Sequence, residues 1–117
     1  TLYKLRVAQG SNSEVLGEIR VAAESLYEVN RGIIDAVEKP YGTAHILASI
    51  PFSIAAKTGS AQVGDEKTNA LFLGYGPVED PQIALAVIIE NAREGGLNAL
   101  PVARDVLMWY YDHRIKS

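Results

Sequence analysis

Phe52-Ser53-Ile54-Ala55-Ala56-Lys57-Thr58-Gly59-Ser60-Ala61-Gln62 opens as a mostly apolar run and closes on a polar tetrad, Lys57-Thr58-Gly59-Ser60. The run has the length and bounds of a strand. A cation, two hydroxyls and a glycine do not usually close a buried strand. They suit an edge strand, whose free N–H and C=O groups point sideways at a ligand. The two-residue period sets Lys57 and Gly59 on one face and Thr58 and Ser60 on the other. Only at an edge do short side chains from both faces flank one ligand. There Lys57 supplies positive charge, and Thr58 and Ser60 supply hydroxyl donors for a carboxylate. Gly59 admits a ligand or a second backbone. The backbone N–H of Ser60 suits a developing oxyanion. The same four residues also read as a plain strand end making a turn, and on the tetrad alone the plain reading is favoured.

Downstream, Val63–Thr68 is polar around Gly64-Asp65-Glu66-Lys67 and reads as a surface loop. Asn69–Tyr75 reads as a strand, Gly76–Pro81 as a turn, and Gln82–Glu90 as an almost wholly apolar strand expected to be buried on both faces. Links this short favour antiparallel neighbours. Asn91–Gly96 is a loop, and Pro101 suits the first turn of a closing helix over 98–114. In that helix Ala103, Val106, Leu107 and Tyr110 form an apolar stripe, widened by Trp109 and Tyr111 and expected to pack in the core.

Upstream, residues 1–23 read as a hairpin. Leu2–Ala8 and Val15–Val21 are its strands and Gly10-Ser11-Asn12-Ser13 its turn. Ser25-Leu26-Tyr27-Glu28 fits a capping box. Leu26, Val29, Ile33, Ala36 and Val37 then recur at helical spacing until Lys39-Pro40, so Glu24–Glu38 is read as a helix. Tyr41–Pro51 is a connector containing Gly42-Thr43-Ala44, which reads as a packing turn rather than a binding loop. The order is hairpin, helix, a three-stranded sheet over 52–90, and helix. That is an α+β domain with helices laid on an antiparallel sheet.

Composition narrows function by exclusion. The chain has 117 residues, enough for one modest core, with a net charge of -3 and no Lys/Arg cluster, so nucleic acid is not an expected partner. Cysteine is absent, and the two histidines, His45 and His113, lack ligand spacing, so neither a metal nor another cofactor is expected. Glu90 and Asp65 lack a partner carboxylate at a useful spacing, which argues against a glycosidase pair. No Ser-x-x-Lys occurs, and no Ser–His–Asp order is evident.

Several segments together resemble the class B penicillin-binding proteins, the serine D,D-transpeptidases of peptidoglycan synthesis. Ala55-Ala56-Lys57-Thr58-Gly59-Ser60-Ala61-Gln62 is similar to the family's third motif, Ala-Gly-Lys-Thr-Gly-Thr-Ala-Gln, with Ala56 and Ser60 as departures. Thr1-Leu2-Tyr3-Lys4-Leu5-Arg6-Val7 resembles the Thr-Leu-Tyr-Lys-Pro-Arg-Leu that follows the second motif. Gly42-Thr43-Ala44 matches the Gly-Thr-Ala before the third-motif strand. Asn69–Pro77 resembles His-Ala-Trp-Phe-Val-Gly-Phe-Ala-Pro, with Asn69 and Leu71 in place of His and Trp. Glu90-Asn91, Gly95-Gly96 and Ala99–Arg104 resemble the last strand, Gly-Gly loop and helix start. Gln62 and Asn91 look more like the elongation-type enzyme than the septal one.

The resemblance implies part of the serine transpeptidase or β-lactamase-like fold, with the Ser-x-x-Lys nucleophile and the Ser-x-Asn motif upstream of Thr1. It implies roles for Lys57, for Thr58, Gly59 and Ser60 as substrate binders, and for the Ser60 N–H as an oxyanion donor. Implied partners are peptidoglycan stem peptides, β-lactams, the remaining part of the same polypeptide and cell-elongation proteins. The implied location is the periplasmic face of the inner membrane. The chain alone is expected to be inactive and to self-associate through apolar surface left uncovered. Two other readings are a non-catalytic α+β interaction module and a β-lactamase-like hydrolase fragment.

Overall fold

A computed structural model of the chain describes residues 1–7, 10, 12–64, 67–92 and 98–116. The turn at Ser11, the loop at Asp65-Glu66 and the Gly95-Gly96 segment read above lie wholly or partly outside the described residues. The architecture is α+β, as the sequence pattern led us to expect. Strands β3 (Ala55–Gln62), β4 (Thr68–Gly76) and β5 (Ile83–Ile89) form an antiparallel sheet in sequential order. Helices α1 (Ala23–Glu38) and α2 (Ala99–Tyr110) pack with it, as does a 3-10 turn over His45–Ser49. A π-helical turn, Tyr111–Ile115, extends α2.

The N-terminal hairpin is shorter than its alternating pattern. Among the described residues only β1 (Leu2–Tyr3) and β2 (Val15–Gly17) pair, with a register irregularity between Leu2 and Tyr3. An exposed Lys4–Glu14 ion pair at 3.0 Å adds little to it. Its apolar side chains find no core: Leu5, Val7 and Ile19 are all exposed.

The core lies on one face of the sheet. Register sets Phe72 opposite Thr58 and Val87, so Ala56, Ala70, Phe72, Leu85 and Val87 share that face. Leu100, Ala103 and Leu107 of α2 and Leu47 of the 3-10 turn meet it. Phe72, Leu47 and Leu107 are the largest fully buried side chains, each contributing about 1.5–3 kcal/mol by burial. Phe52 stands at the margin, its ring stacked on Tyr111 at 6.3 Å between centroids. For that reason β3 begins at Ala55 rather than at Phe52: Phe52 and Ser53 are turned to side-chain partners instead of the ladder.

The opposite face carries Leu71, Leu73, Tyr75, Ala84, Ala86 and Ile88. Leu73 is 62% exposed and Ile88 64%. Strand β5 is therefore not buried on both faces as its composition led us to expect, because on this side α1 packs along β3, where Ala55 is buried, and leaves the side chains of β5 exposed. The first half of the apolar side of α1 is equally bare, whereas Ile33, Ile34 and Ala36 further along are half-buried. Leu26, Tyr27 and Val29 are exposed, and Val37 is the one buried residue among those of α1. The total accessible surface is 8597 Å², against about 6,200 Å² for a compact monomer of this size.

Two further expectations are corrected. Ser25 does not cap α1: the helix starts at Ala23, its N-cap is Ala22, and no side chain caps it. Ala23 and Glu24 are good helix formers and begin the helix ahead of the box pattern, while Ala22 is still extended at φ -59° and ψ 137°. On α2 the buried residues are Ala99, Leu100, Ala103 and Leu107, whereas Val106 and Trp109 face outward. Trp109 is 53% exposed and stacks on His113 at 4.5 Å, so it is not core.

Candidate active site

Among the described residues, strand β3 pairs with β4 alone and forms one edge of the sheet. Its paired register carries Lys57 opposite Leu73, Thr58 opposite Phe72, Gly59 opposite Leu71 and Ser60 opposite Ala70. The faces thus alternate as strand periodicity requires, and the four residues meet only along the strand itself. Ala55 and Ala56 are buried; Lys57 and Ser60 are exposed; Thr58 and Gly59 are half-buried. The strand is anchored at its apolar start and emerges from the core at Lys57.

The ammonium of Lys57 donates to the carbonyl oxygen of Thr58. The ion pairs among the described residues are Lys4–Glu14, Arg31–Glu28 and Lys39–Asp35, and Lys57 is in none of them. Its charge is left to act on whatever approaches the edge. Beside it lies an open groove of about 310 Å³, lined by Lys57, Thr58, Gly59, Leu71, Leu73 and Ile88 among others. A Cβ on Gly59 would come no closer than 3.6 Å to any atom beyond its chain neighbours, an ordinary contact with Leu71. The chain's own packing does not demand glycine there.

The Thr58 hydroxyl donates to that of Thr43 at 3.0 Å. The turn that presents Thr43 is tightly held. Gly42 N–H donates to the Lys39 carbonyl at 2.8 Å and Ala44 N–H to the Ala36 carbonyl at 2.9 Å. A Cβ on Gly42 would sit 2.2 Å from the Ala36 oxygen. Gly42-Thr43-Ala44 is thus a packing turn that also touches the tetrad. Sequence reading missed the second property; the place of Gly42-Thr43-Ala44 in the family pattern was the signal available.

Other candidates fall away from the tetrad. The His45 imidazole hydrogen-bonds through Nδ1 to the Val37 carbonyl at 2.9 Å, bracing the same turn. Ser49 donates to the Ile46 carbonyl at 3.1 Å. Asn69 accepts from the Asn91 backbone N–H at 3.1 Å, so its amide ties β4 to the turn after β5. No group of three or more metal-ligating side chains occurs among the described residues. The tetrad can bind an anion along one edge, and a Ser-x-x-Lys to attack it is not among these 117 residues.

Residues 2–108 match the family model described as the penicillin binding protein transpeptidase domain. The chain belongs to the penicillin-binding protein transpeptidase domain family. It is similar to the peptidoglycan D,D-transpeptidase MrdA of Haemophilus influenzae, with 33% identity over 101 residues, 73% of this chain and 16% of the relative. Its fold matches the crystal structure of Pseudomonas aeruginosa PBP2 in complex with WCK 5153, with a TM-score of 0.68 and 31% identity over 93% of this chain and 24% of that one. The transpeptidase domain of the Legionella pneumophila D,D-transpeptidase FtsI4 matches with a TM-score of 0.63 and 36% identity over 75% of this chain and 35% of that one. The chain therefore spans only 16% of the length of the Haemophilus relative.

Proposed function

We propose that this chain forms the Lys-Thr-Gly wall of a class B, elongation-type peptidoglycan D,D-transpeptidase. The observation that carries the reading is the tetrad on β3, a strand that among the described residues pairs only with β4, with its cation in no ion pair with a described carboxylate and with space at Gly59. An edge free on one side can receive an extended acyl donor as a further strand, and glycine removes the side chain that would stand in its way.

In the reaction a serine outside these residues attacks the carbonyl of a D-Ala-D-Ala stem peptide, and the C–N bond breaks as D-Ala leaves with a proton on its nitrogen. The amine of a neighbouring stem peptide then takes the acyl group and frees the serine. β-Lactams acylate the same serine. Lys57 makes the edge positive and donates to the serine hydroxyl of the Ser-x-Asn motif. Thr58 and Ser60 hydroxyls hold the terminal carboxylate. The Ser60 N–H is one of two oxyanion donors, the loss of one such donor costing about 100–1000-fold in rate. The bare sheet face and α1 dock on the remaining transpeptidase polypeptide, which supplies the nucleophile. The working site is the periplasmic face of the inner membrane, in company with cell-elongation proteins; Gln62 and Asn91 support the elongation assignment.

Labelling with fluorescent penicillin tests this. The complete transpeptidase carries a labelled band that Lys57→Ala abolishes, and the 117-residue chain alone carries none. A labelled band from the chain alone, or full labelling of Lys57→Ala, refutes the reading.

A further inference from the structure

We propose that Thr43 is part of the carboxylate-binding wall, its hydroxyl acting with that of Thr58 as one donor unit. The inference rests on the reading of the Lys57–Ser60 edge given above and adds a residue from a different element to it. The two oxygens lie 3.0 Å apart and 15 positions apart in sequence.

The proton count carries the argument. Two hydroxyls joined by one hydrogen bond use one proton and leave one O–H to donate elsewhere. Without the Thr43 oxygen, Thr58 must be oriented by the ligand alone. With it, either Thr43 donates to Thr58 and Thr58 to the anion, or Thr58 donates to Thr43 and Thr43 to the anion. In both orders the pair presents a single polarised donor.

The turn is built to deliver this hydroxyl. Gly42 is pressed against the Ala36 carbonyl, where no side chain fits. Ala44 is fully buried. Between them Thr43 alone projects to the surface, and the hydrogen bonds of Gly42, Ala44 and His45 to the last turn of α1 and its C-cap fix its position. A turn needed only for packing has no use for a hydroxyl aimed at the edge strand.

The test uses the complete transpeptidase and the rate of acylation by benzylpenicillin and by its methyl ester, which lacks the carboxylate charge. Thr43→Val is expected to slow acylation by the free acid about tenfold, as befits one hydrogen bond to a charged group. Thr43→Ser should stay within about twofold of the parent because it keeps the hydroxyl. The ester should react equally with parent and Thr43→Val. Thr43→Val combined with Thr58→Val should be no slower than Thr58→Val alone. If Thr43→Val folds poorly, Thr43→Ala with the same acid-to-ester comparison reads the same hydroxyl. An unchanged rate with the acid, or an equal loss with acid and ester, overturns the proposal. Lys57→Ala separates the two levels: if it leaves acylation intact, the reading of the whole edge fails, whereas loss in Lys57→Ala with no effect of Thr43→Val removes Thr43 alone.

Discussion

The Ser53 hydroxyl donates to the carboxylate of Glu79 and accepts from the backbone N–H of Val78 at 2.8 Å. This joins the segment entering β3 to the turn leaving β4, so the tetrad strand is tied at its base to that turn by two hydrogen bonds. The Ser53 hydrogen bond, with help from Glu79's own backbone N–H, lowers the Glu79 pKa below its ordinary value of 4.5.

A pH dependence follows from that link. The folded-state pKa is depressed, so Glu79 contributes stability above about pH 4.5, and the contribution is lost as pH falls through its lowered pKa. Thermal midpoints taken stepwise below pH 4.5 should fall less steeply for Glu79→Gln than for the parent chain. Ser53→Ala should return the Glu79 carboxyl toward its ordinary value in an NMR titration; an unmoved titration would sink the assignment.

Two glycines should respond in opposite ways to alanine. Gly42→Ala forces a Cβ to within 2.2 Å of the Ala36 carbonyl oxygen, and should destabilise the fold by about 1–3 kcal/mol in denaturant unfolding. Gly59→Ala meets nothing closer than 3.6 Å, and should change stability by less than about 0.5 kcal/mol. In the complete transpeptidase, however, Gly59→Ala should cut penicillin acylation strongly. A large stability loss in Gly59→Ala would show that the glycine serves packing.

Phe72 is the centre of the core, 1% exposed between Thr58 and Val87 across the ladders. Phe72→Ala should cost about 3–5 kcal/mol. That is a large share of the stability of a chain this size, and circular dichroism should show its melting transition shifted sharply down or lost.

The uncovered sheet face should drive association of the isolated chain. Leu71, Leu73, Tyr75 and Ile88 form a contiguous apolar surface beside the exposed stripe of α1. Sedimentation at high concentration should show dimers or larger species, and Leu73→Lys should weaken them. A clean monomer of the parent chain would count against the prediction.

The legibility of this chain follows the range of the forces involved. The helix of residues 24–38 carries its own 3.6-residue period, and the strand ending at Lys57–Ser60 carries its own polarity change, so both can be recognised in isolation. Ile83–Ile89, the body of the segment read as Gln82–Glu90, is apolar throughout, so its pattern contains no face; only the packing of Phe72 and Val87 against α2 distinguishes one side from the other. On α2, Val106 and Leu107 are adjacent in sequence and equally apolar. Leu107 enters the core because the helix is rotated to bring Leu100 and Ala103 onto the sheet. Thr43 gave no local sign of its contact, since nothing in Gly42-Thr43-Ala44 encodes which strand passes beside it.

By sequence alone, then, Lys57-Thr58-Gly59-Ser60 is determined as a strand end with donors and charge in consecutive positions, set among segments in the order of the transpeptidase family. Covalent adjacency guarantees that much. That β3 is an edge and Lys57 in no ion pair among the described residues, that Gly59 is left open by its own neighbours and that Thr43 reaches Thr58 were decided by tertiary structure. These depend on which strand pairs with β4 and on how the end of α1 turns back onto the sheet. Pairing and packing of that kind are long-range, and propensity and periodicity act only over a few residues.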